Sequence, residues 1–304
     1  MYLVRKNPNL LGLALILVSS IGFGLSPTFA NFAYNNGASV VGTLMARFVV
    51  ATVLMLAVRK LFSRDATWPK PMIFTKLFLL GAFGYFIATL LYFTALKNID
   101  SGLAIIIVSC GPVIVVLLSW WLLGTKPSRI IVVCLVSTFI GVVIAAGQVG
   151  SGDTFSIVLV LIVAVEYSFY VVFSSQVLPQ VDLLTGVTIV MFGAASSFII
   201  YFFVAPSSVP MDFPKTINGW ISVLMLAAVA TVIPTACLYA GMKLIGTGKT
   251  AVLQTFEPVS SIIAGVVFLG EPLTMPRVIG AVFVIGAVAL LAASESRNGS
   301  SIAH

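Results

Sequence analysis

Apolar windows of about 20 residues recur ten times along the chain, at 10–33, 41–61, 73–96, 103–123, 129–147, 155–178, 184–205, 218–241, 249–269 and 275–293. Each is long enough for an α-helix to cross a hydrocarbon layer about 30 Å thick. The breaks between them are short, and most carry Gly, Pro, Asn or Asp, as turns require. The longest run from Arg59 to Pro71 and from Pro206 to Ile217. The pattern predicts an all-α membrane protein with ten transmembrane helices and leaves no room for a fused soluble domain. The first window follows Arg5 and Lys6 as a signal peptide would. It continues to Ala33 without a small-residue cleavage site, so a retained helix is expected.

The ten windows divide into two sets of five, residues 1–148 and 149–304, which align without a gap at an offset of 146 positions. Gly102, Pro112 and Gly124 fall on Gly248, Pro258 and Gly270; Leu13 falls on Leu159, Phe23 on Phe169, Met45 on Met191, Thr89 on Thr235 and Lys97 on Lys243. Single matches between apolar segments mean little, but collinearity across five helices signals an internal repeat. Because five is odd, the second copy enters the membrane with the opposite orientation. The expected architecture is two inverted five-helix repeats, from which alternating-access transporters are built, with the substrate site near the midplane between the copies.

Charge sharpens the topology. Only 8% of residues are charged and 60% are hydrophobic, with a mean hydropathy of +1.16, whereas a soluble domain carries about 25% charged residues. The net charge of +7 does not indicate nucleic acid, because the basic residues lie between apolar windows rather than in patches interleaved with aromatics. With the N-terminus inside, twelve fall on the cytoplasmic side: Arg5, Lys6, Arg59, Lys60, Arg64, Lys70, Lys76, Lys126, Arg129, Lys243, Lys249 and Arg297. Only Lys97, Lys215 and Arg277 fall opposite, and Arg47 lies within a helix. This positive-inside bias predicts two cytoplasmic termini.

Enzymatic chemistry has little to stand on. Cys110, Cys134 and Cys237 lie in apolar windows without CxxC spacing, so neither disulfide nor metal site is expected. The one histidine, His304, is in the tail, and neither a phosphate-binding GxxxxGK[ST] motif nor a Ser/Lys or paired-Asp motif occurs. No catalytic residue, metal or organic cofactor is expected.

The candidate chemistry is a set of polar groups at membrane depth. An ionised side chain at the bilayer centre costs about 2.5–3.5 kcal/mol on insertion scales. Glu257 stands about eight residues into the ninth window and Glu166 about eleven into the sixth, some 12 and 16 Å from the nearer helix start. Each suits proton coupling or a counter-charge for a substrate amine; the plainer role is a carboxylate satisfied by protein donors. Arg47 sits about six residues inside the second window, where it could snorkel to the interface or pair with a carboxylate during transport. Tyr85, Thr89 and Tyr92 share helical spacing in the third window, as do Thr231, Thr235 and Tyr239 in the eighth. Phe169, Tyr170 and Phe173 follow Glu166 on one helix face, and Gln254 and Ser261 flank Glu257 on another. The first window adds Ser20, Phe23, Pro27 and Asn31. Such stripes serve packing as readily as binding, but an aromatic cavity with hydroxyls and an acid suits an amphipathic solute. Pro27, Pro112, Pro234 and Pro258 fall inside windows and predict kinks. Trp120 and Trp121 fit interfacial anchoring.

Ala46-Arg47-Phe48, Glu257-Pro258 and Leu269-Gly270-Glu271-Pro272, placed at these points of a doubled five-helix unit, resemble the EamA-type branch of the drug/metabolite transporter superfamily. The resemblance covers essentially the whole chain. It implies transport of small organic solutes, often export of amino acids or other metabolites across the bacterial inner membrane. The first copy departs from the family pattern, with Gly124-Thr125-Lys126 in place of the usual Gly-Glu ending. The expected function is a secondary transporter working by alternating access on an amino acid or related solute, in the export direction by the resemblance, with protons a candidate coupling ion; an uncoupled facilitator or channel is the alternative.

Overall fold

The computed structural model describes residues 8–95, 98, 104, 107–146, 153–206, 209–270 and 272–300. Expectations for Arg5, Lys6, Lys97, Gly102, Glu271 and His304 lie outside these residues. Every regular element described is helical. In chain order they are α1 (Pro8–Gly24), α2 (Ser26–Asn35), α3 (Val40–Phe62), α4 (Pro71–Leu79), a π-helical stretch (Leu80–Tyr85) and α5 (Phe86–Ala95). There follow α6 (Gly111–Leu123), α7 (Arg129–Ala146), α8 (Thr154–Val177), a 3₁₀ turn (Leu178–Gln180) and α9 (Leu183–Val204). The last group is α10 (Ile217–Ala227), a second π stretch (Ala228–Val232), α11 (Ile233–Gln254), α12 (Glu257–Leu269) and α13 (Met275–Ser300).

Seven described helical spans are long and apolar enough to cross a membrane, and three shorter apolar helices accompany them. The ten expected spans therefore do not appear as ten full-length helices. Turns at Ser109–Cys110 and Thr255–Phe256 cut α6 and α12 to 13 residues each. At Gly246, φ 80° and ψ 168° mark a kink inside one long helical run, where the sequence pattern placed a loop. Large apolar side chains lie on the outside, among them Phe203 at 77% and Val282 at 62% exposure. That is the arrangement expected when the surrounding solvent is hydrocarbon.

The 146-residue offset reappears in the backbone. Helices start at Pro8 and Thr154, Pro71 and Ile217, Gly111 and Glu257, and Arg129 and Met275. The residues before α6 and α12 have nearly the same conformation, φ/ψ −71°/−21° at Cys110 and −72°/−15° at Phe256. Both helices end on a left-handed glycine, Gly124 (φ 70°) and Gly270 (φ 69°), where a β-carbon would be strained.

All four expected kink prolines stand at the first positions of a helical segment: Pro27 in α2, Pro112 in α6, Pro234 in α11 and Pro258 in α12. The expectation that they lie in helix interiors is corrected here. The first turn of a helix has N–H groups without intrahelical acceptors, so a residue lacking that donor costs least there. Each proline thus starts a new segment after a break or a π stretch instead of bending a continuous one.

α1 packs along α11, α3 along α9 and α7 along α13. Where α7 meets α13, a β-carbon on Gly141 would lie 2.7 Å from the Gly280 carbonyl oxygen, and one on Gly280 2.2 Å from that of Gly141. These backbones approach through small residues, as membrane helices do in the absence of a hydrophobic driving force between them. α8 packs against α5 and α6, and α1 against α11 and α12. The first π stretch packs against α8 and α9, and the second against α1, α3 and α10.

Candidate functional site

Glu257 is the first residue of α12, just after the Thr255–Phe256 turn. Its carboxyl group stands in that first turn, at the positive end of the helix dipole. It is half-buried and interacts electrostatically with Arg47, Tyr85, Tyr92 and Tyr167, which come from α3, the first π stretch, α5 and α8. The Gln254 side-chain oxygen accepts from the fully buried Ser20 hydroxyl at 2.6 Å. Its side-chain nitrogen Nε2 is buried with no acceptor at strict hydrogen-bond geometry, and its polar neighbour is the Tyr167 hydroxyl, close enough for a long interaction with the amide.

Tyrosines form the opposite wall. The Tyr85 hydroxyl meets the Thr235 hydroxyl at 3.0 Å, and the Tyr170 hydroxyl contacts that of Tyr239. The Tyr85 and Tyr170 rings meet edge to face at 5.3 Å, and Tyr167 stacks on Tyr170 at 6.0 Å. Phe48 packs against Tyr85 at 5.4 Å. The result is a packed aromatic cluster into which hydroxyls, one amide nitrogen and one carboxylate are set.

Arg47 is 7% exposed and turned inward, so the expectation that it snorkels is corrected. Its guanidinium donates to the Thr231 hydroxyl at 2.6 Å, the Ala230 carbonyl at 3.2 Å and the Ser26 hydroxyl at 3.3 Å. Ala230 and Thr231 belong to the second π stretch and Ser26 to the start of α2. Widened and interrupted helical turns leave backbone groups without regular partners, and the planar fork of arginine reaches several such acceptors at once. Its three hydrogen bonds go to hydroxyls and a carbonyl rather than to a carboxylate.

The structure brings together Glu257, Gln254, Ser20, Tyr170, Tyr239, Thr235 and Arg47. Tyr92 packs beside Ala95 and Val160 within electrostatic reach of Glu257. Thr89 bonds back to the Tyr85 carbonyl of its own helix, where it satisfies backbone next to the π stretch. Asn31 accepts a hydrogen bond from the Asn35 amide on an exposed face. Glu166, Phe169 and Phe173 line a groove whose inner wall is Tyr170, outside the cluster around Glu257. Sequence reasoning missed Tyr167. The stripe was drawn through Glu166, which turned the neighbouring residue away, although the i, i+3 pair of Tyr167 and Tyr170 was available as a signal.

An apolar helical protein with polar side chains gathered beside a helix break has the form of a membrane protein, and the comparisons say of which kind. The EamA-like transporter family model matches twice, over residues 10–147 and 154–293, so the chain belongs to that family. An uncharacterized transporter of Archaeoglobus fulgidus is 26% identical over 239 residues, covering 79% of this chain and 83% of the relative. The uncharacterized transporter YcbK of Bacillus subtilis is 24% identical over 281 residues, 88% of each chain. A solved crystal structure superposes with a TM-score of 0.76 at 22% identity, covering 94% of this chain and 98% of the other; that likeness concerns the fold. The protein is a multi-pass membrane transporter, so a small-molecule substrate and a lipid environment follow.

Proposed function

We propose that this protein is a secondary transporter that moves an amino acid or related amphipathic metabolite by alternating access, in the export direction. The observation that carries the reading is the buried Gln254 Nε2, with no acceptor at strict hydrogen-bond geometry, beside Glu257 and among tyrosines that would wall a substrate chamber. A buried donor without an acceptor is costly, and a substrate carboxylate would satisfy it. Glu257 complements the substrate ammonium group, and the rings of Tyr85, Tyr92 and Tyr167 cover its apolar part. Glu257 is also the group through which protons would be coupled.

The architecture proposed around this chamber is ten transmembrane helices in two inverted repeats, residues 1–148 and 149–304. The paired helix starts and the twin breaks before α6 and α12 support it. The proposed location is the inner membrane with both termini cytoplasmic, supported by twelve basic residues on one side against three on the other. In this frame the Tyr170–Tyr239 contact closes the chamber towards the cytoplasm, and Arg47 with its π stretch closes it towards the outside. Pro27, Pro112, Pro234 and Pro258 mark the joints about which segments rotate.

Purified protein in liposomes, loaded with one unlabelled amino acid at a time, tests the reading by counterflow of the labelled compound. Saturable counterflow that Glu257→Gln abolishes without loss of folded yield is expected. Non-saturating flux would make the protein a facilitator or channel. Wild-type counterflow in Glu257→Gln would remove the assigned role of the acid, and a wild-type rate unaffected by a proton gradient would remove proton coupling.

A further inference from the structure

A cavity of about 940 Å³ lies between α8 and the segment formed by α4 and the first π stretch. Its outer flanks are apolar and open: Phe83 is 56% exposed, Ile162 45% and Phe173 45%. Its inner wall is Tyr170, which packs so closely that a β-carbon on Gly84 would lie 2.4 Å from the ring. Among the described residues lining it, Glu166 is the one acid and Lys76 the one base. Glu166 follows Thr154, the start of α8, by twelve residues, about 18 Å along a helix of about 36 Å. Lys76 lies at the Gln176 end, about 15 Å along the axis from Glu166, too far for a direct pair.

Glu166 Oε2 is buried and has no hydrogen-bond partner. The repeat offset supplies the reason. Ser20 occupies the corresponding place in the first copy and bonds Gln254, whereas the counterpart of Gln254 on the Glu166 side is Val108, which has no side-chain donor. A carboxylate oxygen left bare at the bilayer centre is expensive, and hydrocarbon chains filling the groove would leave it bare. A ligand that removes this cost brings a positive charge on an apolar body. Phe169 and Phe173 stack at 6.0 Å next to the acid and present ring faces suited to an ammonium group.

We propose that this membrane-facing groove binds hydrophobic ammonium amphiphiles, with the cationic head on Glu166 and the apolar body along Phe169 and Phe173, entering sideways from the bilayer. The site lies outside the cluster around Glu257, with Tyr170 as its inner wall, and it does not depend on the substrate proposed above. An anionic amphiphile is repelled by Glu166, and a neutral one gains only the apolar contacts.

Radiolabelled dodecyltrimethylammonium, titrated onto the full chain in phosphatidylcholine nanodiscs and corrected for empty discs, tests the proposal. Saturable binding is expected, weakened at least ten-fold by Glu166→Gln and several-fold by Phe173→Ala. Dodecanol and dodecanoate should not compete. Binding that survives Glu166→Gln but is lost in Glu257→Gln would put the cation in the chamber and overturn the proposal, as would equal competition by all three amphiphiles. A measurement on the wild type guards against misfolded variants. Dicyclohexylcarbodiimide adds to a protonated carboxyl group without a leaving group, the carboxyl oxygen joining the carbodiimide carbon as the proton passes to nitrogen. The resulting adduct on Glu166, read by peptide mass, should be suppressed by dodecyltrimethylammonium and not by dodecanol. Equal labelling with and without the ammonium compound would refute the site.

Discussion

The hydroxyls of Tyr170 on α8 and Tyr239 on α11 meet inside the protein, across 69 positions of sequence. Both side chains are buried, at 4% and 2% exposure. Tyr170 lines the outer groove and packs on Tyr85 and Tyr167, so this contact ties α8 to α11 at the inner wall of the groove. Removing either hydroxyl breaks the same bond, worth about 1 kcal/mol net. Tyr170→Phe and Tyr239→Phe should each lower the thermal unfolding midpoint in detergent by about 2–4 °C, and the double variant should fall by no more than either alone. An additive loss would show that the hydroxyls have separate partners.

Arg47 holds the irregular backbone at α2 and at the second π stretch. Arg47→Met should destabilise the protein by about 1.5–3 kcal/mol, the worth of a hydrogen bond to a charged group. Arg47→Lys should recover only part, because one ammonium cannot reproduce the fork. Amide hydrogen exchange across Ala228–Val232 should accelerate in both variants, and unchanged protection there would contradict the role.

Pro258 keeps α11 and α12 apart at the turn that presents Glu257. Pro258→Ala restores a backbone donor and lets the two helices join, so counterflow should fall several-fold while folded yield is kept. Pro112→Ala, at the corresponding break, should act in the same direction. Hydrogen exchange at Thr255 and Phe256 should slow in the Pro258 variant. Normal counterflow in both would show that the breaks are incidental.

Gly141 and Gly280 let α7 and α13 touch through their backbones. Gly141→Leu places side-chain atoms where the Gly280 carbonyl stands and should sharply reduce monodisperse yield on size exclusion. Gly286→Ala on α13 meets nothing within 4 Å and should behave as wild type. Equal yields from the two would argue against this packing.

Most of the architecture was legible in the order of residues. Long apolar windows have only one inexpensive way to satisfy their backbone in hydrocarbon, so composition and period alone dictate membrane helices. The constant offset that pairs Pro112 with Pro258 came from the same text and recurs in the backbone at Cys110 and Phe256. The polar inventory was legible too, since Glu257, Gln254, Tyr170 and Tyr239 stand out against an apolar background.

Which of those groups meet was decided by tertiary structure. Helical spacing assigned Glu166 and Tyr170 to one face, but a side chain as large as Tyr170 can border both a packed cluster and a groove, and packing against Gly84 sent the acid to the groove. Arg47 turned inward because widened and broken turns on other segments offered acceptors that no local pattern reveals. Prolines announced irregularity, but only the folded chain showed that each begins a helix, because that depends on which N–H groups are already without partners. Local sequence therefore determined which segments are helical and what chemistry they carry; the division into cluster and groove follows from the packing of distant helices.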